Sequence, residues 1–305
     1  MKKYEPYAGD PIKLQLSFVC FADILGYSCL SKKAISSGHG EAFLVNIREA
    51  LTQAYTEVRE RAKSWNESHQ FFSVKVFTDN IVVGYPIRNF ADGFGESELG
   101  HLFTIFSEYQ MNLAIKGFLV RGGIAFGQHY MDQDIVFGDA LIDAVKQDVS
   151  GGAPRMSLSP SAVEALQHHL RFYSEPEHSP QSYHLLQDAD GSVFINYLNN
   201  AFVAFPDGPI FYEIFEKHKD VLESGLSTYK SNPDVKAKFD WVARYHNYVI
   251  DDFFESNPMP AGPDGDEVYA SAVYEAQKLK KYRIDIDLFS SRPSKLRLIP
   301  MRHRV

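Results

Sequence analysis

Cysteine is scarce in this chain, which contains only Cys20 and Cys29 among its 305 residues. Two cysteines are too few for a disulfide framework, and their spacing is not the CxxC of a zinc site. We therefore expect two reduced thiols in or near a core strand. The sequence also lacks an apolar run of the roughly 18–20 residues that a membrane span needs. We expect a cytoplasmic protein with no membrane partner.

Positive charge is not in excess either. The formal net charge is −8, and acidic and basic residues are mixed along the chain. A nucleic-acid-binding protein usually carries a basic stripe, so we expect no nucleic-acid partner. A small triphosphate remains compatible with this charge, because bound divalent ions can neutralise it locally.

The order of apolar and turn-forming segments predicts a mixed α/β (α+β) fold with helices packed on a sheet. The almost continuously apolar run 17–24 predicts a strand buried on both faces. Apolar residues at helical spacing predict a helix over 41–65, and the strands 71–77 and 80–86 flank a hairpin turn. Further predicted elements are a helix around 99–113, strands over 118–130 and 135–138, a helix from about 139, a helix over 160–170 with Ser159 as its N-cap, and a strand over 183–187.

The pattern becomes mostly helical after about residue 195. Helices are predicted near 210–230 and 234–256, and the second carries an apolar stripe that needs a partner surface. The simplest interpretation is a helix docked on its own domain. We accordingly divide the chain into a domain of residues 1–195 and a helical C-terminal extension of residues 196–305.

Two acids occupy corresponding places at strand ends. Asp23 follows the first apolar strand, and Asp79 lies in the turn between two strands. If these strands are neighbours, their carboxylates converge at one edge of the sheet. Such oxygen ligands suit Mg²⁺ or Mn²⁺, and a pair of ions can hold both oxygens of an in-line displacement at phosphorus. From periodicity alone, a turn former and a strand terminator would be the preferred interpretation.

Four segments, two of which contain Asp23 and Asp79, resemble the motifs of one enzyme family in the same order along the chain. FADILGYS at 21–28 resembles the F-x-D-I-x-G-F-[ST] motif of class III nucleotidyl cyclases, and KVFTDNIVV at 75–83 resembles its K-x-x-G-D partner. VRGGIAFG at 120–127 is similar to the R-x-G-I-x-x-G strand of that family, and VFGDALIDAVK at 136–146 stands where its G-x-x-V-N-x-A-x-R helix follows. The resemblance covers about the first 190 residues and implies a mainly antiparallel sheet with packed helices.

The resemblance also implies roles for single residues. Asp23 and Asp79 would coordinate two divalent metal ions, Mn²⁺ or Mg²⁺, and the backbone carbonyl of Ile24 would complete one coordination shell. Arg121 would contact the triphosphate, and a planar guanidinium favours phosphate oxygens; the alternative is a strand-edge charge paired with an acid. Lys75 stands where purine cyclases place a base-reading lysine, and an outward-facing strand residue is an equally good interpretation.

The chain departs from the family at three positions. Ile142 and Lys146 replace the usual Asn and Arg of the helix, and Ile135 replaces the base-reading Asp of adenylate cyclases. Asp134 is one residue away, but a slip of one residue turns a strand side chain to the opposite face. Lys146 would supply transition-state charge, with a solvated lysine as the alternative. We expect Ile135 and Ile142 to shape a base pocket unlike that of an adenylate cyclase.

Three further features resemble the pyrimidine cyclases of bacterial Pycsar antiphage systems: Ala-Leu-Ile-Asp-Ala in place of the usual V-N-x-A, the Thr78-Asp79 step in place of Gly-Asp, and the appended helical region. That resemblance implies conversion of UTP or CTP into the 3′,5′-cyclic monophosphate and pyrophosphate by a head-to-tail homodimer. The cyclic nucleotide would then act on a separate effector protein. Three rivals are a purine cyclase, a degenerate cyclase domain that only binds a nucleotide, and an unrelated metal-dependent phosphohydrolase. The sequence lacks the His-Asp clusters that such a phosphohydrolase usually has, which counts against the third rival.

Overall fold

A nine-stranded sheet organises the residues that the computed structural model describes, which are 6–9, 11–63, 71–88, 94–149, 152–176, 179–259, 267–286 and 293–295. The strands are β1 (Gln15–Ile24), β2 (Ser73–Phe77), β3 (Asn80–Pro86), β4 (Val120–Met131), β5 (Val136–Gly138), β6 (Met156–Leu158), β7 (Leu185–Gln187), β8 (Val193–Ile195) and β9 (Ser294–Lys295). The order is β2-β3-β1-β4-β6-β8-β7-β9, and β5 pairs with β4 outside this path. Only β4 and β6 pair in parallel among these strands.

Helices pack on this sheet and follow it along the chain. They are α1 (Tyr27–Ser36), α2 (Gly40–Ala62), α3 (Glu96–Ala114), α4 (Asp139–Val149), α5 (Pro160–Leu170), α6 (Pro180–His184), α7 (Tyr212–Thr228), α8 (Pro233–Ser256) and α9 (Glu267–Ala276), with short 3-10 helices at Tyr197–Ala201 and Gln277–Tyr282. The predicted fold class is confirmed: a mixed α/β fold with one mainly antiparallel sheet. Within the described ranges, no helix combines the length and apolar character needed to cross a lipid bilayer.

Strand β1 is covered on both faces, as its continuously apolar sequence predicts. Phe18, Cys20 and Ala22 point into the larger core cluster, which α2 and α3 help to form. Val19 belongs to a smaller cluster on the opposite face, together with Ala140 of α4. Asp23 has the same parity as Val19 and therefore lies on the α4 face of the sheet.

Two glycines of β4 allow α4 to lie directly on the sheet. A Cβ atom on Gly123 would come within 2.5 Å of the backbone oxygen of Ala144, and one on Gly127 within 2.7 Å of the Asp139 carboxylate. The contact at Gly123 is with backbone and cannot be relieved by a side-chain rotation, so the approach of helix to strand requires glycine there, whereas the Asp139 side chain beside Gly127 can rotate away. The glycines of the VRGGIAFG segment thus have a packing role in this fold.

The helices after residue 195 share the larger core with the sheet. Phe215 of α7 and Val242 of α8 are fully buried in the same cluster as Phe18, and β9 pairs with β7 at the sheet edge. The apolar stripe of α8 therefore packs on the chain's own sheet and helices. The division at residue 195 stays a prediction.

Several predicted boundaries differ from the observed ones. The helix predicted over 41–65 begins at Gly40 and ends at Ala62, and residues 64–70 lie outside the described part. The strand predicted from residue 183 begins at Leu185, because Pro180 starts the short α6. α1 was not predicted at all. It has no buried residue, so it lacks the apolar periodicity from which a helix is inferred.

Candidate functional site

Asp23 and Arg121 lie directly opposite each other on β1 and β4. Residues paired in this way project to the same face of an antiparallel sheet. Their side chains form an ion pair with 3.5 Å between Arg121 Nη2 and Asp23 Oδ2, and they are 24% and 17% exposed. The sheet thus brings together a predicted metal ligand and a predicted phosphate-binding residue.

The backbone N–H and carbonyl groups of Ile24 point away from β4. The N–H group of Leu25 donates to the carbonyl of Leu119 at 2.8 Å, just beyond β4. Because backbone groups of successive strand residues point to alternate sides, those of Ile24 point towards the β3 side. The Ile24 carbonyl therefore faces the side on which Asp79 stands.

Asp79 lies in the tight turn that joins β2 to β3 and is 7% exposed. β3 is the neighbour of β1, and Ala22 pairs with Ile81, so Asp79 stands beside the end of β1 that carries Asp23. The metal prediction rests on the condition that the two acids stand at the ends of neighbouring strands. β1 and β3 are neighbours, so this condition is met. Thr78 has a positive φ of 53°, and its hydroxyl donates to Asp79 Oδ1 at 2.8 Å.

No ion pair to Asp79 occurs among the described residues, although a buried carboxylate is costly without a cation. Burial raises the pKa of the Tyr55 and Tyr109 hydroxyls, and the negative charge of Asp79 raises it further. No cluster of three or more metal-binding His, Cys, Asp or Glu residues is found in the described part. Mg²⁺, however, is often held by one or two carboxylates together with substrate phosphates. The donor set of Asp23, Asp79 and a carbonyl at Ile24 fits such an ion.

A cleft of about 360 Å³ opens on the α4 face of the sheet. It is lined by Phe21, Lys75, Phe77, Asn80, Val82, Asp134, Val136, Leu141 and Val145, and we call it the sheet-face cleft. Lys75 pairs with Val82, and Phe77 with Asn80, which places all four on one face. The volume is in the range of small-molecule sites. Lys75 therefore lies where a base could reach it.

Ile135 does not line this cleft, whereas Asp134 does. The Asp132 carboxylate accepts the N–H groups of Asp134 at 2.8 Å and Ile135 at 2.7 Å, so residues 132–135 form a turn. The strand predicted over 135–138 begins at Val136, and strand alternation does not apply to Asp134 and Ile135. The side chain of Ile135 is 56% exposed.

Ile142 and Lys146 lie one turn apart on the outward face of α4. Ile142 is 58% exposed. Lys146 is 67% exposed and forms an ion pair with Asp143 in its own helix, at 2.8 Å. Within one protomer these side chains lie in solvent. Their predicted roles at a nucleotide, supplied to a partner's site, remain predictions.

Helix α1 begins at Tyr27, directly after the turn that follows β1. Its N-cap is Gly26, and no side-chain hydrogen bond caps its first N–H groups. Such groups favour phosphate oxygens. Only Leu25 and Gly26 separate the end of β1 from this helix, so α1 begins close to Asp23 in the chain.

Sequence reasoning missed Tyr55, Thr78 and Asn80 as parts of the site. The Tyr55 hydroxyl donates to the backbone carbonyl of Thr78 at 3.2 Å, across 23 residues of sequence. Asn80 could have been found from alternation, since it shares a strand face with Val82. Tyr55 carried no local signal.

A scan against models of known protein families gives no match to this chain. A search of the curated proteins likewise gives no match.

Proposed function

We propose that this protein is a class III-type nucleotidyl cyclase that converts UTP or CTP into the 3′,5′-cyclic monophosphate and pyrophosphate. One observation carries the proposal: the Asp23–Arg121 pair and the buried Asp79 stand at the same edge of the sheet, beside the open N-terminus of α1. Carboxylates, a guanidinium and helix N–H groups are together the chemistry that a metal-chelated triphosphate requires.

Each side chain has a distinct task in this reaction. Asp23 and Asp79, with the Ile24 carbonyl, would hold two Mn²⁺ or Mg²⁺ ions, which when bound would neutralise triphosphate charge and promote ionisation of the ribose 3′-hydroxyl. Arg121 binds phosphate oxygens in a bidentate manner. The 3′-oxygen attacks the α-phosphorus, its proton is released, and the bond to the β-phosphate oxygen breaks. Catalysis is mainly positioning and charge stabilisation.

The working form in this proposal is a head-to-tail homodimer with two equivalent sites. Ile135, Phe137 and Ile142 expose more than half of their side chains at the β4–β5 hairpin and α4, and clustered exposed apolar groups favour association. A two-fold axis would bring Lys146 and this apolar surface to the partner's metal acids. Lys146 would then offset negative charge in the transition state.

A purine cyclase is the second candidate, and one observation favours it. Asp134 lines the sheet-face cleft together with Lys75 and Asn80, so an acid is available to accept an exocyclic amine. In the pyrimidine proposal, Lys75 donates to a carbonyl oxygen of the base, and uracil offers two such acceptors where cytosine offers one. UTP is therefore preferred slightly over CTP.

The decisive experiment supplies purified protein with Mn²⁺ and equal concentrations of ATP, GTP, CTP and UTP, and separates the products by chromatography. We expect cyclic UMP as the main product, followed by cyclic CMP. Cyclic AMP or GMP as the main product would establish the purine alternative. If no nucleotide releases pyrophosphate, the protein is a degenerate cyclase domain that only binds a nucleotide.

The biological role follows from the Pycsar resemblance. The cyclic pyrimidine nucleotide would serve as a second messenger in antiphage defence and would switch on a separate effector protein. A phage-protection assay with the Asp79→Asn variant as the inactive control tests this role.

A further inference from the structure

A second cleft, of about 440 Å³, lies at the outer edge of the sheet. β2 is the terminal strand of the sheet order, and the end of α2 and the β4–β5 turn form the other walls. Side chains from both faces of β2 reach this cleft. We call it the edge cleft; it is lined in part by Arg59, Lys63, Lys75, Val74, Val76 and Met131.

The charge of the edge cleft is opposite to that of the chain. The whole protein carries −8, yet this cleft has three cations, Arg59, Lys63 and Lys75, against the single acid Asp132. Both oxygens of Asp132 are already engaged, since Oδ2 accepts the Tyr130 hydroxyl and Oδ1 accepts two backbone N–H groups. These bonds lower the pKa of Asp132 and keep it turned into its own loop.

Arg59 is exposed and forms no hydrogen bond or ion pair with any described residue. Lys63 is paired with Glu60 at 2.7 Å. Lys75 Nζ donates one long hydrogen bond, 3.4 Å to the Asp132 carbonyl, and lies 5.6 Å from the centre of the Phe77 ring. Cations near the end of a helix can simply complement its dipole, but Lys75 comes from the edge strand and has no such reason to be here. Arg59 of α2 and Lys75 of β2 converge on the cleft from two elements and indicate an anion site.

We propose that the edge cleft binds a phosphorylated small molecule of nucleotide size. The cations suit a phosphate group, and the apolar wall of Val74, Val76 and Met131 suits a ring carried on that phosphate. The volume of about 440 Å³ is in the range of small-molecule sites. A bound acidic peptide fits less well, because a short edge strand that carries a lysine discourages strand addition.

Lys75 lines the sheet-face cleft as well as the edge cleft. An anion in the edge cleft therefore competes with a base for the same ammonium group. This consequence rests on the proposed function, whereas the binding site itself does not.

The test is calorimetric titration of UMP in EDTA, with the Asp23→Asn protein so that the metal acids contribute little. Uridine and inorganic phosphate are the comparison ligands. Arg59→Gln is the test variant. Arg48→Gln is the matched control, since it is the same change at another exposed position of α2, outside the edge cleft. Thermal melting checks that both variants are folded.

We expect UMP to bind, inorganic phosphate to bind more weakly and uridine not to bind. Arg59→Gln should weaken UMP binding about tenfold, as the loss of one charge-assisted contact implies, and Arg48→Gln should leave it unchanged. Absence of UMP binding, equal affinity for uridine, an unaffected Arg59→Gln variant or an equal loss in the control would each overturn the proposal. None of these outcomes depends on turnover, so they leave the cyclase proposal to its own test.

Discussion

The hydroxyl of Tyr55 in α2 donates to the carbonyl of Thr78 at 3.2 Å, and the Thr78 hydroxyl donates to Asp79 Oδ1 at 2.8 Å. The core helix thus holds the backbone of the β2–β3 turn, and the turn holds the carboxylate. Thr78 maintains this arrangement at a φ of 53°, a conformation that is costly for a β-branched residue. The orientation of Asp79 is therefore determined by tertiary contacts.

Thr78→Val should weaken Mn²⁺ binding several-fold, because it removes the donor to Asp79 while keeping the β-branched shape. Thr78→Ser retains the hydroxyl and is the matched control. The measurement is the Mn²⁺ dissociation constant from electron paramagnetic resonance, with thermal melting for stability. Equal affinities of the Val and Ser variants would show that the hydroxyl does not orient the carboxylate.

Asp79→Asn should abolish cyclisation while leaving the melting temperature unchanged or higher. The substitution removes a buried charge that has no cationic partner among the described residues, so function is lost without loss of stability. Asp220→Asn, an exposed acid on α7, is the control and should keep full activity. Turnover of Asp79→Asn near the wild-type rate would remove Asp79 from the site.

Mixing Asp79→Ala and Lys146→Ala chains should restore activity that neither has alone. In a head-to-tail dimer, each mixed dimer has one complete site, so a 1:1 mixture regains about a quarter of wild-type activity. Differently tagged chains, purified as verified heterodimers, make the measurement direct. Inactive heterodimers would contradict the shared site.

Arg155→Met should lower the free energy of unfolding by about 3–5 kcal/mol, because it leaves a buried carboxylate without its partner. Arg155 is paired with Asp188, which also accepts the indole N–H of Trp241 at 2.7 Å. The double variant Arg155→Met/Asp188→Asn should recover part of the loss. Urea unfolding of both proteins gives the comparison; additive losses would show that the two groups are not coupled.

The buried pair His218 and His246 should make the protein less stable in acid. With both rings neutral, His246 Nε2–H donates to the Tyr282 carbonyl and its Nδ1 accepts from His218, whose Nε2 accepts the Tyr197 hydroxyl. Burial lowers the pKa of His246 to about 4 and that of His218 well below its usual value.

The folded pKa values lie below the unfolded value of about 6.5, so the unfolded chain takes up protons first as pH falls. Stability is complete above about pH 6.5 and declines towards pH 4 by roughly 1.4 kcal/mol per pH unit and proton. Urea midpoints from pH 7 to 4.5 measure this slope. His218→Gln/His246→Gln should flatten it; an unchanged slope would assign it to other histidines.

Much of the fold could be predicted from local patterns. The unbroken apolar run of β1 indicated burial on two faces, and Ser159 before Pro160 indicated the start of α5, where the Ser159 hydroxyl indeed accepts the Ala162 N–H. Such signals work because periodicity and capping depend on neighbours within a few residues. α1 and β8 were missed, since a helix without a buried face and a three-residue strand give too little pattern.

The sequence by itself determined which acids stand at strand ends, that two strands meet at Asp79, and that a helix follows β5. Only the tertiary structure decided that Asp23 faces Arg121, that Tyr55 supports the Asp79 turn, and that Asp134 instead of Ile135 lines the sheet-face cleft. The reason is physical: strand register and the path of a turn depend on contacts between residues far apart in the chain, and local sequence patterns do not contain them.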